Sequence, residues 1–148
     1  MIKKQLLIGA VLLTISSHVL AVEWDSIIKK ADYEIFVDID SYDVVDGFPY
    51  FTTKTIFNKN QPFTSQKKSI SYQYNIKSTL FNCRQDLLKI TLMDFYSQKN
   101  KLLMSEKLTA EFRPILSGSD EYSVAQLACQ VHKMVGGQYG QIVIIEPQ

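Results

Sequence analysis

ISYQYNIKSTLFNC (residues 70–83), RQD (84–86) and LLKITLMDFY (87–96) form the stretch that decides the fold. Two runs dense in aromatic and β-branched residues flank three polar ones. That pattern predicts two long strands folded back on each other. In the first run, Tyr72, Tyr74, Ile76 and Leu80 hold even positions, while Gln73, Asn75 and Lys77 hold odd ones. Alternation makes the even set the more apolar face of that strand.

Working towards the N-terminus, YFTTKTIF (50–57) predicts another strand, and EIFVDI (34–39) one before it. Asp40-Ser41 starts a turn, and Val45-Asp46-Gly47 carries an Asp-Gly hairpin signal. NKNQPFTSQKK (58–68) reads as a polar loop, and residues 24–31 as a short lead-in for which a helix is the candidate. Towards the C-terminus, residues 97–100 turn and 102–108 form a fifth strand. Consecutive strands with short links give an antiparallel meander.

The period then changes. Ser117-Gly118-Ser119-Asp120 supplies helix-start chemistry. Val124, Leu127, Ala128, Val131 and Val135 follow a helical stripe, and Gly136-Gly137 is expected to stop it. Residues 136–148 form a C-terminal extension, and 141–145 read as a sixth strand in preference to a tail. The expected fold class is α+β: an antiparallel sheet of five to six strands with a C-terminal helix on one face.

The first 21 residues read as an export signal. Lys3 and Lys4 make its positive start, residues 6–15 its apolar centre, and Val19-Leu20-Ala21 its cleavage site. The apolar run is shorter than the roughly 20 residues needed to cross a bilayer. Removing 21 of 148 residues leaves 127, a single domain spanning 22–148. Lys3 and Lys4 leave with the signal, so the formal charge of +1 becomes −1. No nucleic-acid partner is expected at that balance, and no later segment reads as membrane-spanning.

Export gives the two cysteines, Cys83 and Cys129, an oxidising compartment. A disulfide between them is the favoured reading over a reactive thiol or half of a metal site. A redox site usually has Cys-x-x-Cys, and zinc needs three or four ligands. That bridge would pin the helix to the third strand. Cys83 has the opposite parity to Tyr72, Tyr74 and Leu80. Either a bulge shifts the register near Asn82, or the helix packs on the Phe81/Cys83 face.

Catalytic constellations are missing from the sequence. His132 is the one histidine after residue 21; it lacks a nucleophile-elbow context and reads as a solvated helix residue. Phosphate-loop glycine patterns do not occur. Asp38, Asp40, Asp43 and Asp46 lack the spacing of an EF-hand loop and read as a solvated acidic edge. No enzymatic activity, cofactor, metal or catalytic residue is expected. Lys54, Lys59, Lys67 and Lys68 are the candidate binding surface, with a solubilising role as the plainer reading. Aromatics on both strand parities leave one face free to meet a protein partner or a second copy of the chain.

The order of features resembles the bacterial surface-adhesin protein E-like family. An export signal precedes Trp24 and the segment Phe36-Val37-Asp38-Ile39-Asp40-Ser41. A long strand ends Leu80-Phe81-Asn82-Cys83, and its hairpin partner ends Phe95-Tyr96-Ser97. Phe112-Arg113-Pro114-Ile115 and Ser117-Gly118-Ser119 then lead into the helix bearing Cys129. The resemblance covers residues 24–132. It implies a small antiparallel sheet with a helix, a Cys83–Cys129 disulfide, no enzymatic activity, and adhesion to host matrix proteins at the cell surface. The competing expectation is a soluble periplasmic accessory protein with an envelope partner and no host ligand.

Overall fold

The aromatic and β-branched runs pair as the sequence pattern requires. The structure, a computed structural model, describes residues 22–66 and 68–139. Its strands are β1 (Asp25–Lys29), β2 (Tyr33–Val45), β3 (Phe48–Thr64), β4 (Ser69–Asn82), β5 (Leu87–Tyr96), β6 (Leu102–Lys107) and β7 (Arg113–Pro114). They are followed by α1 (Asp120–Tyr139). The sheet runs β1-β2-β3-β4-β5-β6 in chain order, and β7 pairs with β5. Every pairing is antiparallel. The α+β class and the meander are as expected. The proposed signal (1–21), the segment 141–145 and Lys67 lie outside the described residues.

The Asp46-Gly47 turn closes the β2–β3 hairpin, with φ of 53° and 81°. Positive φ at both central residues suits the strand twist, and Gly47 adopts it without a Cβ clash.

Four boundaries differ from expectation. Residues 25–29 form a strand rather than a helix, because Ser26 pairs with Phe36 and Lys29 with Glu34, with Ile27 bulged between. β2 continues through Asp40-Ser41. Ser41 donates both its N–H and its hydroxyl back to Asp38, so the segment is a strand irregularity, not a reversal. The polar segment 58–68 is mostly strand as well. A register shift between Ile56 and Gln61 absorbs its first residues, and Pro62 then pairs with Ser71. Such irregular positions tolerate proline. Gly136-Gly137 does not stop α1, which runs on to Tyr139. Glycine in a helix costs about 1 kcal/mol but does not break the backbone hydrogen bonds.

The helix covers the Phe81/Cys83 face. Ile35, Val37, Phe51, Phe81 and Leu88 from the sheet meet Val124, Ala125 and Ala128 from α1. The two alanines bring the helix axis close to the sheet. Ser119 caps the helix: its hydroxyl oxygen accepts the Tyr122 N–H at 3.2 Å. The disulfide forms between Cys83 and Cys129, with Cα atoms 5.7 Å apart. It ties the end of β4 to the middle of α1.

Tyr72 changes side. Gln73 is skipped in the β3–β4 register between Tyr72 and Tyr74. Its side-chain amide instead donates to the Phe57 carbonyl. Tyr72 therefore joins the helix side, where its ring lies 4.9 Å from Phe95 and 5.7 Å from Phe57. Phe63 stacks on Phe95 at 4.3 Å. This aromatic group extends the core beyond the reach of α1.

Candidate binding faces

With α1 on one side, strand alternation leaves the other side of the sheet open. The register sets out its rows. Phe36, Lys54, Ile76 and Asp94 pair across β2 to β5. Beside them run Glu34, Ile56, Tyr74 and Tyr96. Tyr74 and Tyr96 stack at 4.7 Å with an interplanar angle of 4°. The Lys54 ammonium sits 4.7 Å from the Tyr74 ring centroid and 5.6 Å from that of Trp24. Each ring offers the cation a negative π face, an attraction of about 0.5–1 kcal/mol at partly exposed sites. The result is a Trp24–Lys54–Tyr74–Tyr96 row. Burial lowers the Lys54 pKa and raises those of Tyr74 and Tyr96.

Of the four candidate lysines, the three among the described residues are not gathered in one place. Lys54 is half-buried at the centre of the open face. Lys59 is exposed in the irregular part of β3. Lys68 is at the β3–β4 tip, where its ammonium donates to the Leu103 carbonyl at 3.4 Å. Along β4 the tip lies seven residues from the partner of Lys54, on the order of 20 Å at the usual rise of a strand. Trp24 and Tyr96 complete the row, and neither belongs to the candidate surface that the sequence suggests. Tyr96 lies two strands from Lys54 and joins it through Tyr74, and Trp24 reaches it from just before β1, so neither leaves a local signal.

Two of the four acidic residues of this edge, Asp38 and Asp43, bond to nearby backbone. Asp38 accepts from the Ser41 N–H at 3.2 Å, and Asp43 from the Val44 N–H at 2.7 Å. Among the described residues, no cluster of three or more His, Cys, Asp or Glu side chains is placed to hold a metal. His132 is not free in solvent as expected. It is half-buried, and its Nδ1 lies 2.8 Å from the Tyr42 hydroxyl. Helix packing brings Tyr42 of β2 over it, which sequence distance conceals.

The chain from β1 through the first half of α1 is also what the comparisons recognise. The family model for surface-adhesin protein E matches residues 24–130. The chain belongs to the surface-adhesin protein E family. The fold is similar to that of Haemophilus influenzae protein E, with a TM-score of 0.52 and 15% sequence identity. That match covers 75% of this chain and 86% of the other. At such identity the likeness concerns the fold. No curated protein sequence matches. The family match spans the open-face row, the disulfide and the helix start. Among the described residues no helix is long and apolar enough to cross a membrane.

On the helix side, two ion pairs fasten the first turn of α1. Asp120 accepts from the Lys30 ammonium at 2.7 Å and from the Tyr33 hydroxyl. Glu121 takes both Arg113 nitrogens, at 2.9 and 2.6 Å. The fork geometry matches guanidinium to carboxylate. Lys30 and then Tyr33 hold the Asp120 carboxyl below the ordinary carboxylate range. A depressed folded-state pKa contributes stability above the unfolded pKa, and the contribution is lost as pH falls through the folded value. Asp120→Asn is therefore expected to lower stability at neutral pH and to flatten the loss below pH 3.8, the ordinary carboxyl value. Urea titrations of both proteins from pH 2 to 7 check this. Parallel acid limbs would contradict it.

Proposed function

We propose that the protein is exported, cleaved after Ala21 and displayed at the cell surface, where it binds a host matrix protein without catalysis. The family match over residues 24–130 carries this reading. The open-face row supplies the contact chemistry: Trp24 and Tyr96 are of the aromatic types enriched at protein interfaces, and the Lys54 ammonium stands beside Trp24 and Tyr74 as a charged contact. Of the candidate lysines, Lys54 is the contact residue, and Lys59 and Lys68 stand at the periphery. A second copy of the chain would compete for the same face.

The test has two arms. Protease treatment of intact cells should remove the protein, and its N-terminus should begin at Val22. The purified mature chain should bind a member of a panel of immobilised matrix proteins. Lys54→Ala and Tyr96→Ala are expected to weaken that binding about tenfold or more, the effect of a central interface residue. Lys59→Ala and Lys68→Ala should change it less than about twofold. Retention of the protein in the periplasm, protected from protease, would overturn the surface reading in favour of an envelope accessory role. Equal effects of all four substitutions would remove the open face as the contact site.

A further inference from the structure

Beneath the first turn of α1 lies a cavity of about 250 Å³ on the side of the sheet opposite the open face. Its apolar wall includes Ile35, Phe57, Ile90 and Val124. Its polar wall is Thr53, Thr55, Thr79 and Lys77. The register explains this grouping. Thr53 pairs with Lys77, and Phe51 with Thr79, so these side chains share the helix-covered face. α1 begins only at Asp120, which leaves part of that face roofed by its first turn alone.

Charge is unbalanced in this cavity. Asp120 and Glu121 stand at its edge. Each is already closed by its own cation, Lys30 for Asp120 and Arg113 for Glu121. Among the described residues, no carboxylate forms an ion pair with Lys77. Burial, reinforced by nearby Arg113 and opposed by Glu121, pulls its pKa below the ordinary lysine value. No hydrogen bond among the described residues engages the Thr53, Thr55 or Thr79 hydroxyls, so they too are open to a ligand. Lys77 is half-buried, and a cation there without an ion pair is partly desolvated, a cost that an anion would offset.

We propose that this cavity binds a small organic monocarboxylate, its carboxylate on Lys77 and the threonine hydroxyls, its apolar body against Ile35, Phe57 and Ile90. The volume is near the lower end of small-molecule pockets, about 300–1,000 Å³, which favours a short acid over a large ligand. One cation with adjacent hydroxyls matches one carboxylate. The apolar wall disfavours a fully hydrated inorganic anion. This site is independent of the open face and of the adhesin reading.

The test is titration of the full mature chain with hexanoate, hexanamide and chloride, followed by amide chemical shifts. Hexanoate should saturate, with its largest shifts on Thr53, Thr79 and Ile90. Hexanamide should bind about tenfold more weakly or worse, because it lacks the charge-assisted bond. Chloride should not compete. Lys77→Met should abolish hexanoate binding and melt at a temperature no lower than the parent. Equal affinity for hexanoate and hexanamide would overturn the role of Lys77 without any variant. Absence of saturation, shifts mapping elsewhere, or full binding by Lys77→Met would each overturn the site.

Discussion

Replacing Cys83 and Cys129 together by serine is expected to lower the unfolding free energy by about 4 kcal/mol. The bridge spans a sequence separation of 46 residues. Chain-entropy reasoning assigns a loop of that size roughly this value, through the freedom that the unfolded chain regains. Typical domains hold only about 5–15 kcal/mol in all. The location sharpens the effect. α1 follows the last strand and meets the sheet through a small apolar set, Val124, Ala125 and Ala128. Its polar side-chain ties include the Asp120 and Glu121 ion pairs, which are partly exposed and correspondingly weak, and the His132–Tyr42 contact. Without the bridge, the helix should exchange its amide protons before the sheet does. Urea unfolding of the oxidised and double-serine proteins measures the first effect, and hydrogen exchange the second. A shared unfolding midpoint would show that sheet and helix need no staple.

Phe81→Ala is expected to cost about 3–5 kcal/mol, the range for truncating a buried phenylalanine. Phe81 is 1% exposed and lies under α1 among Phe51, Leu88 and Ala128. Removing its ring leaves a void beneath a helix that the disulfide prevents from collapsing freely. Ile76→Ala provides the control on the open face. Ile76 is half-buried, so the loss there should be only about 1–2 kcal/mol. The difference tests which face is the core. Equal losses, or a greater one for Ile76, would place the core on the other side of the sheet.

That comparison exposes why the sheet faces were hard to read from sequence. On β4 the apolar alternation favours Tyr74, Ile76 and Leu80, yet Asn75, Lys77, Thr79 and Phe81 lie on the helix side of the sheet. Hydrophobicity separates core from solvent only where the covered face is packed throughout. Here part of the covered face borders a cavity, and threonines and a lysine line it. The open face carries aromatics that shield one another, as Tyr74 does on Tyr96. The skipped Gln73 then moves Tyr72 to the helix side, a one-residue shift that no alternation count registers.

The candidate site divides in the same way. In the sequence Lys54 is legible only as one of four lysines, with Lys59, Lys67 and Lys68, in and beside the polar segment 58–68. Trp24 and Tyr96 lie 30 and 42 residues from it; Trp24 meets it across the sheet, and Tyr96 reaches it only by way of Tyr74. Lys77 looked like an ordinary solvent-facing polar position. Its isolation depends on two carboxylates finding other partners, Lys30 and Arg113, from opposite ends of the chain.

Local chemistry by itself determined the strand runs, the Asp46-Gly47 turn, the helix start at Ser119 and the reason to pair two cysteines. These depend on backbone preferences, capping and counting, which act over a few residues or none. Tertiary structure alone decided which face α1 covers, how far β3 extends through its polar segment, and that Lys77 lines the cavity with no ion pair among the described residues. Those outcomes depend on contacts between distant segments, where the total burial and charge balance of the whole sheet outweigh the preference of any one residue.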